Sequence, residues 1–270
     1  MSLLSGLASL LFPPLCLSCG GDLANGQSVL CLRCERAISE KNYQGIINGV
    51  PFYTRLTYGL EISQLVLLAK EENNRAARKY LARRLACALT DSGGEIGAKI
   101  ILIPAPSTRA ATRARGFEHG LLLARSMRSE LAYISRSERR AGVDLIIVQP
   151  LKLTRALQDQ SLLNPAQRMA NLQGAYRFDA NFRALLEGER SSREGRVAER
   201  ARLDLDVDLY LNGAADQKAH PAARRPYLVL VDDVMTSGAT MGEGIRALRS
   251  AGFEPDIAIL ACVSPRLISQ

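Results

Sequence analysis

Two groups of residues in this 270-residue chain have the types and spacing to do chemistry. The first is Asp232-Asp233, followed after Val234-Met235 by Thr236-Ser237-Gly238-Ala239-Thr240. Adjacent carboxylates suit ribose hydroxyls or a hydrated Mg²⁺, since both want hard oxygen partners. The small, hydroxyl-bearing residues after them let backbone N–H groups approach a phosphate. A helix beginning near Met241 would point its positive end at the same spot. A capped strand–turn–helix link would explain such a turn on its own. The unbroken order of apolar strand, acid pair and hydroxyl turn favours the phosphate reading. The second group is Cys16-x₂-Cys19 and Cys31-x₂-Cys34, separated by eleven residues. Two such knuckles present four thiolates, the donor set of a closed, structural zinc site. An iron–sulfur cluster takes the same four ligands, and a redox pair is a weaker option.

These residues need elements to hold them. The continuously apolar runs Ile100-Ile101-Leu102-Ile103 and Leu228-Val229-Leu230-Val231 predict strands of a parallel sheet covered on both faces. Further strands are expected over 52–58, 144–148 and 256–263, with the two apolar runs placed at 99–103 and 227–231. Helical periodicity predicts helices over 62–89, 117–133, 165–172 and 241–251. Asn164 is the N-cap of the third of these, with Pro165 in its first turn. Leu3, Leu7, Leu10 and Leu11 share one face of a short N-terminal amphipathic helix. The fold class is therefore α/β, and three regions separate by composition. Residues 1–45 carry the N-terminal helix and the four-cysteine module, and residues 46–270 the α/β domain. Within the latter, 179–225 is a charged insertion with the composition of a disordered segment and one edge strand over 202–211.

Around the acid pair, further residues carry a family resemblance. Ile103-Pro104-Ala105-Pro106-Ser107, with Arg109, Arg113 and Arg115-Gly116-Phe117, resembles the Val-Pro-Val-Pro … Arg-Gly-Phe-Asn-Gln element of the competence protein F (ComF, GntX-like) family. Gln160-Ser161-Leu162, Arg168, Asn171 and Gly174-Ala175-Tyr176 are similar to that family's Gln-Ser-Leu … Arg … Asn … Gly-Ala-Phe stretch. Lys70 resembles its lysine after an apolar run. Leu11-Phe12-Pro13-Pro14-Leu15-Cys16 resembles the segment before its first cysteine pair. The acid pair and hydroxyl turn resemble the phosphoribosyl pyrophosphate (PRPP) signature of type I phosphoribosyltransferases. The resemblance implies a parallel-sheet type I phosphoribosyltransferase-like domain with a small N-terminal zinc ribbon. It implies that Asp232 and Asp233 hold the ribose hydroxyls, and that Thr236, Ser237, Gly238, Ala239 and Thr240 hold the 5′-phosphate. Ala105, Pro106, Arg109 and Arg115 would form the pyrophosphate loop. Lys70, Glu118 and His119 would lie on the substrate side, His119 being equally readable as a structural histidine. Glu118-His119 stands where Asn-Gln is usual, and Glu71-Glu72-Asn73-Asn74 replaces a Gly-containing turn.

The implied activity is transfer of a phosphoribosyl group from PRPP, with Mg²⁺, to an acceptor the sequence does not identify. Pyrophosphate would leave, and the setting would be competence and DNA uptake. The alternative is a non-catalytic accessory protein of natural transformation or DNA metabolism, binding single-stranded DNA or a helicase-like partner. Composition allows both. Thirty-five Lys and Arg against 27 Asp and Glu give +8, which favours anionic partners. Eight arginines and three glutamates fall between positions 109 and 140. Most of those arginines read as the solvated face of a helix, and no aromatic platform accompanies them, as single-strand binders usually provide. No stretch reaches the eighteen apolar residues of a membrane helix. The N-terminal apolar run has neither basic residues before it nor a cleavage site, so a cytoplasmic chain with reduced cysteines is expected. Cys87 and Cys262 read as small buried hydrophobes.

Overall fold

The computed structural model of the protein describes residues 14–24, 26–93, 99–138, 144–157, 164–179 and 226–268. The expected N-terminal helix lies outside them, as do Gln160-Ser161-Leu162, Arg139, Arg140 and the 202–211 strand.

The apolar runs form the centre of a six-stranded sheet. In chain order its strands are β1 (Glu40–Ile47), β2 (Val50–Leu56), β3 (Ile100–Pro104), β4 (Leu145–Ile147), β7 (Tyr227–Met235) and β8 (Ile257–Val263). Their spatial order is β1-β2-β8-β7-β3-β4, and every pairing is parallel except β1 with β2. Alternate residues along β7 feed two cores. Val229 and Val231 join one with Ile100, Leu102 and Ile259. Leu228 and Leu230 join the other with Ile101, Ile103 and Leu260. After the short helix α1 (Leu32–Ala37), the first core is covered by α2 (Leu60–Glu71), α3 (Arg75–Asp91) and α5 (His119–Ser137), through Leu65, Leu81, Leu85, Leu123 and Met127. The second is covered by α7 (Ala239–Ser250) and by a two-stranded antiparallel sheet of β5 (Leu151–Leu153) and β6 (Tyr176–Phe178). Between β5 and β6 lies α6 (Pro165–Leu172). The protein is thus an α/β structure with a mostly parallel central sheet.

Helices on opposite faces follow the two central strands. β3 leads through α5 to β4 on one side, whereas β7 leads through α7 to β8 on the other. Neighbouring strands whose connections diverge leave a crevice at their carboxyl ends, where open α/β sheets bind ligands.

Four sequence expectations change. The helix over 62–89 is two helices. Asn73 takes a left-handed φ of 54°, and the Asn74 side chain accepts from the Ala76 and Ala77 amides to start α3. β7 does not stop at Val231. β8 continues beside it, pairing Asp232 with Leu260 and Met235 with Val263, so the acids belong to the strand. Residues 109–115 are the short helix α4, capped by the Thr108 hydroxyl and ended by Gly116 at φ 78°. The strand expected at 52–58 has an unexpected partner, β1, which crosses position 45 and returns through Asn48-Gly49. Both turn residues have positive φ, the requirement of a tight two-residue hairpin.

Candidate functional site

Alternation decides how the two acids are presented. Because β7 runs through both, their side chains leave on opposite faces of the sheet. Asp233 points to the α2 and α5 side. Its Oδ2 accepts a hydrogen bond from Lys70 Nζ at 3.1 Å, and His119 Nε2 lies 3.3 Å from the same oxygen. Its Oδ1 accepts from the Val234 amide at 2.7 Å. Asp233 and His119 are each only 4% exposed, whereas the Lys70 side chain is 41% exposed and forms the outer end of the group. The imidazole sits close enough to pair ionically but off the hydrogen-bond line, and neither ring nitrogen has a hydrogen-bond partner among the described residues. Asp232 is partly exposed, and its Oδ1 accepts from the Asp233 amide at 2.9 Å.

This asymmetry splits two adjacent carboxyls. Burial raises both. For Asp233 the Lys70 ammonium, then His119, more than offsets burial and holds it well below the ordinary carboxyl range. For Asp232 the Asp233 charge adds to burial and outweighs Lys70, so it rises well above that range. Lys70 is pushed up to about 12, chiefly by Asp233. One acid is a fixed anion inside an ion pair. The other is the partly open member, able to carry or shed a proton.

After β7 the chain turns through Ser237 and Gly238. Gly238 has a φ of 76°, which favours glycine, and a Cβ there would stand 2.5 Å from Ile47 Cδ1, so the end of the Ile47 side chain rests against the bend. The first turn of α7 has no side-chain cap of the usual kind; the Ser237 hydroxyl reaches the Ala239 amide at only 3.4 Å. The bend therefore offers hydroxyls and helix-end amides, the donors an anion wants. From the other side, Arg168 of α6 donates from Nη1 to Thr236 Oγ1 at 3.0 Å.

The loop after β3 lies against the same strand, the Ala105 amide donating to Val231 O at 2.9 Å. The first turn of α5 packs on it so closely that a Cβ at Gly120 would be 2.8 Å from Ala105 O. Glu118 has local partners for both oxygens. Oε1 accepts from the Ser107 amide, and Oε2 caps α5 at the Leu121 amide. Glu118 thus caps α5 and pins the loop after β3. Arg109 is exposed in the first turn of α4. Arg115 is turned inward with its side chain 6% exposed, donating to Ala111 O at 3.2 Å and to Glu71 Oε1 at 3.3 Å. The structure therefore brings Lys70 and His119 together on Asp233, places Asp232 on the opposite face of β7 just before the bend, sets Ala105 beside that strand, and pairs Arg115 with Glu71.

The sulfur atoms of Cys16, Cys19, Cys31 and Cys34 lie within 4.8 Å of one another, a group that could hold a metal ion. The Cys19–Cys31 separation is 3.7 Å, close to the edge of about 3.8 Å of a tetrahedron with metal–sulfur bonds near 2.3 Å. The Cys31 amide donates to Cys16 Sγ at 3.3 Å, as thiolate ligands accept in such knuckles. Gly20 supplies the turn at φ 71°, and its amide bonds back to Cys16 O. Cys19 is lowered to about 6, first by the Gly21 amide, while burial pushes Cys34 up to about 12. Cys16 and Cys34 are also part of the first core, so the module is built into the domain beside it. Cys262 is fully buried as expected, its thiol 3.5 Å from Asp233 O, and Cys87 is partly buried.

No protein-family model matches the chain, and no curated protein matches it either. Among the described residues no helix is long and apolar enough to cross a membrane. Two partners escaped the sequence reading. Arg168 was noted only as part of a motif, and nothing local ties it to residues 68 positions away. The Lys70–Asp233 pair spans 163 positions, and the sole hint was a lysine ending an apolar helix face.

Proposed function

We propose that the protein binds PRPP in the crevice between β3 and β7 and transfers its phosphoribosyl group, as a type I phosphoribosyltransferase-like domain with a structural zinc module. One observation carries this reading: a partly open carboxyl and an uncapped helix start with a hydroxyl-rich bend follow one another at the carboxyl end of β7, where the connections of two parallel strands diverge, with Lys70 paired to the neighbouring Asp233. Asp232 is the acid available to ribose hydroxyls. Asp233 becomes available when Lys70 moves to the ligand. Thr236 to Thr240 take the 5′-phosphate. Ala105, Pro106 and Arg109 face the pyrophosphate, with Lys70 adding charge.

The bond from ribose C1 to the pyrophosphate oxygen breaks, and a bond from C1 to the acceptor nucleophile forms as that nucleophile loses its proton. Positioning and charge neutralisation of the departing pyrophosphate supply the acceleration. Two carboxyls are too few for a dedicated magnesium cage, which fits Mg²⁺ arriving on the substrate's phosphates. The cysteine group would hold zinc with all four positions filled, leaving it no catalytic role.

Titration calorimetry with PRPP and Mg²⁺ tests the reading. The unmodified protein is expected to bind, and Asp232→Asn to lose at least tenfold in affinity. The variant should keep or gain stability near pH 7. An acid whose folded pKa is raised opposes folding once the pH exceeds its unfolded value, and the amide removes that penalty. Binding that is absent from the unmodified protein, or unchanged in Asp232→Asn, rejects the site. Absent PRPP binding combined with single-stranded DNA binding that falls steeply with salt would favour the accessory role instead.

A further inference from the structure

The bend from Val234 to Met241 holds hydroxyls and amides but no charged side chain. A phosphate monoester carries close to two negative charges at neutral pH. Neutral donors and a helix end, worth about half a charge, leave most of that unmatched. Among the described residues a cation from another element touches the bend, Arg168 of α6, through its 3.0 Å bond to Thr236 Oγ1.

Arg168 is held there by a framework. Asn164 and Gln167 close a capping box at the start of α6, and Arg155 donates to Asn171 O at 2.8 Å and Gln173 O at 3.2 Å at its end. The chain then enters β6, where the Tyr176 amide donates to Glu243 Oε1 at 2.9 Å and Tyr176 O accepts from Arg246 at 2.6 Å. Glu243 and Arg246 belong to α7, the helix whose first turn makes the bend. The helix that carries the arginine and the helix that carries the amides are thus fixed to each other, and the guanidinium bonds the first hydroxyl of the bend.

We infer that Arg168 is the charge-reading residue of the bend. Its guanidinium binds the terminal phosphate of the sugar as a dianion, and so selects 5-phosphorylated sugars over their unphosphorylated counterparts. The Thr236 hydroxyl accepts from Arg168 and thereby turns its own proton toward the ligand. This inference rests on the proposed sugar-phosphate site and adds to it the element that recognises charge.

The experiment is calorimetry with ribose 5-phosphate and with PRPP plus Mg²⁺ on the unmodified protein, Arg168→Gln and Arg168→Lys. Loss of a charge-assisted bond predicts affinity about ten- to a hundredfold weaker for Arg168→Gln. Arg168→Lys should recover part of that as a point charge. A pH series supplies a readout that a merely structural role would not move. In the unmodified protein, affinity for ribose 5-phosphate should fall as the pH drops below about 6, where the monoester takes a proton, and Arg168→Gln should flatten that dependence. If the unmodified protein binds neither ligand, the sugar-phosphate site itself is wrong. If it binds both and Arg168→Gln binds equally well with the same pH profile, the site stands and the role of Arg168 falls.

Discussion

Replacing Gly238 by alanine probes the contact that shapes the bend. Two costs are separable. A non-glycine residue at φ 76° costs about 1–2 kcal/mol from its own backbone. The new methyl would also stand 2.5 Å from Ile47 Cδ1, about 1 Å inside ordinary carbon contact. That methyl is the free end of a partly exposed side chain, so turning it aside costs only about 0.5–1.5 kcal/mol. Gly238→Ala is therefore expected to lose about 1.5–3.5 kcal/mol, or about 3–14 °C in Tm for a domain of this size. The two parts are resolved by a double-mutant cycle with Ile47→Ala, read by urea unfolding. Truncating Ile47 removes the clash but not the backbone term, so Gly238→Ala should cost only about 1–2 kcal/mol in that background. Equal costs in both backgrounds would refute the packing argument. A cost below about 0.5 kcal/mol in the unmodified background would refute the backbone argument as well. Affinity for ribose 5-phosphate should fall in Gly238→Ala and partly return in the double variant, because the hairpin then no longer displaces the bend.

Lys70→Met should destabilise the protein by about 1–3 kcal/mol near pH 7. That is below the figure for a wholly buried pair, because the lysine is partly solvated. Asp233 has a lowered folded pKa, so its contribution is complete above the unfolded carboxyl value near 4 and is lost as the pH falls through the folded value. The difference in Tm between Lys70→Met and the unmodified protein should accordingly shrink toward acid pH, and a pH-independent difference would contradict the ion pair. For the cysteine module, elemental analysis should give about one zinc per chain. Cys34→Ser should reduce both metal content and Tm, since binding energy at such a site is folding energy. Less than about half a zinc per chain in gently purified protein would argue against a four-thiolate zinc site. Glu118→Gln should leave PRPP affinity within about threefold while lowering Tm, as its carboxylate caps α5; a large loss of affinity without loss of stability would instead indicate a substrate-side role.

Local chemistry was legible in the residues themselves. The four cysteines declared their grouping through two short spacings. Apolar runs marked β3, β7 and β8. Asn164 and Pro165 announced α6 at its observed first turn. Asn48-Gly49 carried a hairpin signal that went unread, because the strand before it is largely exposed and lacks an apolar run. Asn74 likewise marked a helix start inside a segment whose periodicity favoured one long helix. What no local pattern could supply was the direction in which neighbouring side chains face. Asp232 and Asp233 are chemically alike in the sequence, and β7 continuing beside β8 sends them to opposite faces. There, residues drawn from distant elements make one a buried anion and leave the other partly exposed. Short-range preference selects the elements, whereas the charge state of the site is set by long-range packing around each carboxyl.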